Sequence, residues 1–135
     1  MASDVRAERF AQVISPGAAV EPLVTGLGIT EGIVWHARDR CLVFSDLSAG
    51  IVYRWTAEAG PAVLRKPSNI TNGNFVDRRG RIVSCEHATS CVSRFEPGGR
   101  HVEVLAAHYR GRELNSPNDV VCDSRDRIWF TYPAL

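Results

Sequence analysis

The sequence contains 135 residues, of which 44% are hydrophobic and 23% are charged, and its formal net charge is +1. This balance is typical of a soluble globular domain, and the near-neutral charge gives no reason to expect nucleic acid or an anionic membrane as a partner. No apolar run approaches the roughly 20 residues of a membrane span, and the polar N-terminus lacks the apolar core of a signal peptide.

The cysteines favour a reduced protein, and we expect a cytoplasmic location. They are Cys41, Cys85, Cys91 and Cys122. None of them forms a Cys-x-x-Cys pair, which argues against a zinc site. Three of the four lie inside predicted strands, where a free thiol behaves as a small hydrophobic side chain.

Two regions are expected along the chain. Residues 1–18 are polar or small and lack a clear period, so we interpret them as a loose or weakly helical lead-in. Residues 19–135 show no helical period but carry short apolar runs separated by regular turn signals, which is the pattern of an all-β domain. Its first run, 19–26, alternates enough for a short strand, and Pro22 favours the edge of a sheet.

The remaining strands are predicted in blocks. The first block has strands centred on 33–35, 41–44, 51–55 and 62–65. The first of these, 33–35, is expected to be an inner strand buried on both faces. A second block repeats the order with strands centred on 75–76, 82–84, 92–95 and 102–105. A third block supplies only 120–122 and 128–130.

The three blocks share an internal repeat that aligns on Arg40, Arg81 and Arg127. These arginines are 41 and 46 residues apart, within the range of a four-stranded propeller blade. An oxygen-bearing side chain lies nine positions before each arginine; these are Glu31, Asn72 and Asn118. Because equivalent positions of propeller blades converge on one axis, the repeat predicts a ring of hard oxygen ligands. A propeller needs roughly four to eight blades to close, so this sequence is not expected to close a ring alone.

Four motifs resemble those of the SMP-30/gluconolactonase/LRE-like family, in the order in which the family has them. They are Glu31-Gly32-Ile33-Val34-Trp35, residues 67–74 (PSNITNGN), Cys85-Glu86-His87 and residues 114–121 (LNSPNDVV). The resemblance covers about residues 20–132 and implies the N-terminal half of a six-bladed β-propeller. We therefore expect residues 19–135 to form about two and a half blades of four-stranded antiparallel sheet.

The resemblance also implies a chemistry. Members of this family bind one divalent metal in the central channel and open sugar lactones with water. The family's motifs assign metal ligation to Glu31 and Asn118, and imply that two further ligands, one of them the general base, lie beyond Leu135. No catalytic residue is therefore identified within the chain. Carboxylate and amide oxygens favour Ca²⁺, with Zn²⁺, Mg²⁺ or Mn²⁺ as alternatives.

Further residues are candidates for lining the channel or contacting a sugar lactone: Asn72, Ser116, His87 and Asp46. Asn72 also suits a turn beside Gly73, which is the interpretation we favour for it from sequence. Glu86 and His87 together suggest an acid–base pair, but neighbours on a strand point to opposite faces, so a hydrogen-bonded loop histidine is the interpretation we favour for His87.

Two functions are compatible with the sequence. One is the N-terminal half of a metal-dependent sugar-lactone hydrolase, inactive alone because the base and two ligands are missing. The alternative is a non-catalytic half-propeller, either a binding and assembly module that self-associates through its open edges or a truncated remnant.

Overall fold

The structure is a computed structural model that describes residues 8–15, 17–98 and 100–133. The lead-in expected over residues 1–18 thus lies partly outside the described residues, and its described part contains a 3₁₀ helix over Glu8–Gln12. All other regular structure in the described ranges is β-strand, which confirms the all-β prediction. Within these ranges, no helix has the length and apolar character that crossing a membrane would require.

Two four-stranded antiparallel sheets form the body of the structure, each with its strands in sequence order. The first sheet contains β1 (Thr30–His36), β2 (Cys41–Asp46), β3 (Ile51–Thr56) and β4 (Gly60–Arg65). The second contains β5 (Thr71–Val76), β6 (Ile82–Glu86), β7 (Cys91–Phe95) and β8 (Val102–Ala106). These two meanders are the two complete blades predicted from the repeat.

A third blade is present as its two inner strands. They are β11 (Val120–Cys122) and β12 (Ile128–Phe130), which pair antiparallel. Between the second and third blades lies a small hairpin of β9 (His108–Tyr109) and β10 (Arg112–Glu113). The hairpin was not predicted, because two-residue strands are too short to produce an alternating pattern.

The pairing of the inner strands agrees with the alignment of the repeat over the first strand of each block but not at Arg40, because the turn of the first blade is one residue longer than the other two. Val34 pairs with Val43, Phe75 with Val83, and Val121 with Trp129. In both complete blades the inner strand has a register shift just before these pairs, between Glu31 and Val34 and between Thr71 and Asn74. Such a bulge re-aims the residues within it. The candidate positions 31 and 72 are therefore equivalent in the fold as well as in the sequence.

The aligned arginines have a structural role in two of the blades. Asp77 accepts hydrogen bonds from backbone N–H groups of its turn and pairs with Arg81 at 2.7 Å. Asp123 does the same with Arg127 at 2.6 Å. In the first blade His36 takes this position, and its Nδ1 accepts a turn amide at 3.1 Å. The repeat thus marks a turn at the end of each inner strand, and in each turn a side chain accepts hydrogen bonds from backbone N–H groups.

The hydrophobic core lies between the blades. One cluster joins the first and second blades and consists of Cys41, Val43, Val52, Ile82 and Phe95. A second cluster joins the second and third blades and consists of Val83, Cys85, Val92 and Val120. All four cysteines are free thiols, and three of them are buried. Burial raises the pKa of the Cys85 thiol to about 12, so it acts as a core residue.

Two expectations about strands are wrong. Residues 19–26 form no strand, and only Ala19 makes an isolated bridge. A strand exists through its neighbour's hydrogen bonds, and Pro22 has no N–H to donate. Strand β1 is not buried on both faces, because Ile33 and Trp35 are 68% and 53% exposed. Val34 packs into the core, but no described sheet covers the opposite face.

The array therefore ends in two apolar surfaces, which we call the end faces. The first end face belongs to blade one and borders a hollow of about 280 Å³ lined by residues that include Leu23, Leu27, Ile33, Phe44 and Trp55. The second end face belongs to blade three, where Val121 and Trp129 are 49% and 58% exposed.

Candidate functional site

The inner ends of the three blades meet through close backbone contacts at two glycines. A Cβ atom on Gly32 would overlap the carbonyl oxygen of Asn72. A Cβ atom on Gly73 would lie 2.8 Å from the carbonyl oxygen of Asn118, and the Gly73 N–H donates to that oxygen at 2.8 Å. Only glycine permits such an approach. Residues 31, 72 and 118 are each adjacent to or part of these contacts, so the three segments converge as the repeat predicts.

A buried polar cluster holds the first two blades together beside the Gly32 contact. The Asn74 side chain donates from Nδ2 to the carbonyl oxygen of Gly32 at 3.1 Å and to Ser45 Oγ at 2.7 Å. Its Oδ1 accepts from Ser84 Oγ at 2.7 Å, and Ser45 Oγ donates to the carbonyl oxygen of Asn72 at 3.1 Å. Asn74 is 4% exposed. Sequence reasoning missed this cluster, since only the pairing of the strands brings its members together.

Glu31 and Asn118 present side chains without protein partners. The Glu31 side chain is exposed, and its carboxylate makes no hydrogen bond or ion pair within the described ranges. The backbone of Asn118 is fully used, because its N–H donates to Thr131 and its carbonyl oxygen accepts from Gly73. The side-chain amide of Asn118 has no partner among the residues that the structure describes. Both side chains are therefore available to a ligand.

Asn72 lies inside β5 at the register shift, so the turn role favoured from sequence is wrong. The side chain is 7% exposed, and its Nδ2 lies 3.3 Å from Nε2 of His87. Its Oδ1 has no hydrogen-bond partner among the described residues. Since no fully enclosed side-chain nitrogen or oxygen in those residues lacks a partner, Oδ1 opens onto accessible space.

Asp46 and Ser116 were also predicted to line the channel, and the structure describes the surroundings of both. Asp46 is 4% exposed, and its two carboxylate oxygens accept backbone N–H groups of Gly28 and Ala49, each at 3.1 Å. Both oxygens are thus engaged in shaping neighbouring turns. Ser116 is half-buried with φ of 42°, just before Pro117. For both residues, a role in lining the channel stays a prediction.

Glu86 is a structural residue. Its carboxylate, 2% exposed, accepts hydrogen bonds from Arg65, Asn69, Thr89 and Ser93. Burial alone would raise the pKa of the Glu86 carboxyl, but the hydrogen bonds from Arg65 and the three polar side chains outweigh it and hold the pKa below its ordinary value. The carboxylate ties blade one to blade two and does not face His87, in agreement with the expectation that neighbours on a strand diverge.

His87 is held from the other side by the loop that connects the two blades. Asn69 and Ile70 both adopt left-handed backbone, with φ of 56° and 55°, which is unusual for a β-branched residue. Their carbonyl oxygens accept the backbone N–H groups of Ala88 and His87 at 3.0 and 3.1 Å. Strained backbone of this kind is frequent at functional sites.

The donor set at the convergence suits a hard cation only in part. One carboxylate and two amides are oxygen ligands of the kind that Ca²⁺ and Mg²⁺ take, but Ca²⁺ requires about 6–8 oxygens. No cluster of three or more His, Cys, Asp or Glu side chains capable of holding a metal occurs in residues 8–15, 17–98 and 100–133. Glu31 and Asn118 as metal ligands therefore stay a prediction, supported by the free state of their side chains.

Comparison with known proteins identifies the family of the chain. The family model described as the SMP-30/Gluconolactonase/LRE-like region matches residues 29–135. The gluconolactonase of Zymomonas mobilis subsp. mobilis is 28% identical over 138 residues, and the match covers 93% of this chain and 39% of that protein.

Solved structures of gluconolactonases superpose on the chain. A candidate gluconolactonase superposes with a TM-score of 0.87 at 29% identity, over 95% of this chain and 44% of its own. A gluconolactonase of Xanthomonas campestris gives 0.78 at 37% identity, over 82% and 37%. Virginiamycin B lyase of Staphylococcus aureus, with a TM-score of 0.63 at 12% identity, shares the fold alone. The chain thus spans about two fifths of the length of its gluconolactonase relatives.

Proposed function

Because the chain belongs to the SMP-30/gluconolactonase/LRE-like family, we propose that it is the N-terminal part of a metal-dependent sugar-lactone hydrolase. One observation carries the proposal: the glycine contacts bring together the backbone segments that carry Glu31, Asn72 and Asn118, and the side-chain oxygens of these residues have no partner among the described residues. Because it spans only 39% of the Zymomonas relative, we propose that these residues supply half of a site and little turnover alone. The free cysteines support a reducing, cytoplasmic location.

The chain's own residues contribute charge and geometry. Glu31 supplies a full negative charge, and the amides of Asn118 and Asn72 supply neutral oxygens. The buried Asn74 cluster fixes the spacing between the first two blades. A divalent cation bound there, Ca²⁺ first and Zn²⁺, Mg²⁺ or Mn²⁺ as alternatives, would polarise a lactone carbonyl and lower the pKa of a bound water.

The proposed inactivity follows from the state of the other carboxylates. Asp46 is engaged with backbone amides and Glu86 with Arg65. Asp119 is exposed, and its Oδ1 accepts the N–H of Val120 at 2.9 Å. Glu31 is then the one unengaged carboxylate at the convergence in the described part of the chain. The resemblance assigns the general base to a second, metal-ligating carboxylate beyond Leu135, and the described residues offer no other unengaged carboxylate at this place to substitute for it.

Calorimetric titration with CaCl₂ tests the cation site. We expect weak saturable binding by the 135-residue chain and its loss in Glu31→Gln. Glu21→Gln is the matched control, because Glu21 is an exposed carboxylate without a partner in the described residues. Equal binding by the two variants would rule out Glu31 as a ligand.

A hydrolysis assay with a δ-lactone and the same cations tests the second half of the proposal. We expect no turnover above the uncatalysed rate. Metal-dependent turnover by this chain alone would show that its own residues include a base, and would overturn the proposed division of the site.

A second candidate function is self-assembly, which the end faces favour. Both ends of the array expose large apolar side chains, with Trp35 and Trp129 more than half exposed. The two complete blades and the inner half of the third occupy three of the six blade positions of a six-bladed ring, so two copies related by a twofold along the channel would cover each first end face with a second end face. Light scattering coupled to size-exclusion chromatography decides this: a folded, strictly monomeric species would exclude it.

A further inference from the structure

His87 and Asn72 form a side-chain pair next to the convergence of the blades. Asn72 Nδ2 lies 3.3 Å from His87 Nε2. Asn72 is only 7% exposed, yet its Oδ1 takes no hydrogen bond from the described residues. The amide is thus satisfied at its nitrogen, while its oxygen opens onto accessible space and is available to a ligand.

The chemistry of the pair defines a tautomer. An amide nitrogen is only a donor, so Nδ2 donates and Nε2 must accept. A neutral imidazole that accepts at Nε2 carries its proton on Nδ1. If the proton were on Nε2 instead, the favourable orientation of the amide would be reversed: Oδ1 would turn to the histidine and Nδ2 would face the centre.

We propose that His87 is a positioning residue. It keeps the side-chain oxygen Oδ1 of Asn72, and not the side-chain nitrogen Nδ2, facing the centre shared with Glu31 and Asn118. This inference rests on the proposed cation site, because only an oxygen can ligate Ca²⁺ or Mg²⁺. An amide nitrogen directed at the same point would present N–H dipoles that repel a cation.

The backbone around His87 suits this role. Its N–H donates to the Ile70 carbonyl oxygen at 3.1 Å, and Ile70 is part of the left-handed pair with Asn69. Asn69 is in turn bound to the Glu86 carboxylate at 2.7 Å. The ring that orients Asn72 is thus anchored through a loop fixed to the second blade, and the Asn72 backbone is fixed by Ser45 and Asn74.

The tautomer can be measured directly. A long-range proton–nitrogen correlation spectrum of the metal-free chain in mildly alkaline buffer shows which imidazole nitrogen is protonated, and His87→Gln assigns the signals. We expect His87 to be protonated at Nδ1. His36 is the internal control with the opposite tautomer, because its Nε2 lies 2.9 Å from the Gly80 carbonyl oxygen and its Nδ1 accepts from Asp39 N–H. A His87 spectrum like that of His36 would overturn the inference.

Cation affinity tests the consequence. With Ca²⁺ as the probe, His87→Leu should weaken binding by roughly tenfold, the lower end of the range for residues that orient metal ligands. In an Asn72→Asp background either side-chain oxygen can face the cation, so the same substitution should have little effect. Equal losses in both backgrounds would contradict a positioning role.

The two arms separate this inference from the function on which it rests. A chain that shows the Nδ1 tautomer but binds no cation would contradict the proposed metal site while the orientation of Asn72 stands. A chain that binds Ca²⁺ with His87 protonated at Nε2 would support the metal site and refute the positioning role.

Discussion

Substitution of Glu86 by glutamine tests whether the contact between the first two blades depends on a buried ion pair. Glu86 is 2% exposed at its side chain and Arg65 is 11% exposed, with 2.8 Å between Oε1 and Nη1. Glutamine preserves the size of the side chain but removes the charge, so the Arg65 guanidinium loses its counter-ion in a largely dry position.

The expected cost can be bracketed from this geometry. Removing one partner of a buried ion pair destabilises a protein by about 3–5 kcal/mol. Arg65 retains some solvent contact and glutamine still offers one acceptor, so we expect about 2–3 kcal/mol for Glu86→Gln. That loss is a large part of the ~5–15 kcal/mol that stabilises a typical domain.

The assay is urea unfolding followed by tryptophan fluorescence, with Glu103→Gln as the matched control. Arg94 and Glu103 form a similarly short pair at 2.7 Å, but the Glu103 side chain is 50% exposed. Exposed pairs contribute little because water screens them, so the control should unfold at the wild-type midpoint. The reasoning is refuted if both variants lose the same stability, or if Glu86→Gln matches the wild type.

Three further outcomes are expected. Gly73→Ala should separate blades two and three, because its Cβ would lie 2.7 Å from the Asp119 Cα atom. The control is Gly60→Ala, whose Cβ meets nothing within 4 Å and which bears only the cost of its backbone conformation. The urea midpoint of Gly73→Ala should fall well below that of the control. The lowered pKa of Glu86 contributes stability that is present above its unfolded value of about 4.3 and is lost as the pH falls through the folded pKa, so Glu86→Gln should flatten the acid side of a pH–stability curve; an unchanged slope would count against it. Trp35→Lys should reduce any self-association seen by light scattering, since Trp35 is 53% exposed on the first end face, and an unchanged association state would place the contact elsewhere.

The sequence was sufficient for most of the fold because strand patterns and turns are local. Every strand of the two complete blades, and both strands of the third, coincides with a predicted apolar run. The two wrong predictions, a strand over residues 19–26 and burial of both faces of β1, depend on whether another strand or sheet lies beside the segment. The alternation around Pro22 does not reveal whether a neighbour is available to pair with it, and the apolar character of Ile33 and Trp35 does not reveal that one face of β1 is open.

The candidate site was predictable only to the level of positions. The repeat predicts that residues 31, 72 and 118 share one centre; the glycine contacts bring their backbone segments together, and a site shared by their side chains stays a prediction. The sequence does not distinguish the free carboxylate of Glu31 from the engaged carboxylate of Asp46, because that difference arises from backbone amides of Gly28 and Ala49 folding onto the latter. The role of the buried Asn74 could likewise not be predicted, because only strand pairing brings its side chain to Ser45 and Ser84.

The spacing between neighbouring blades depends on main-chain contacts at Gly32 and Gly73 and on the enclosed amide of Asn74, none of which projects a functional group into the channel. Side chains at the rim can therefore be exchanged during evolution without disturbing the frame that holds them. A virginiamycin B lyase shares this fold at 12% identity, and a shared fold does not by itself determine the chemistry of a site.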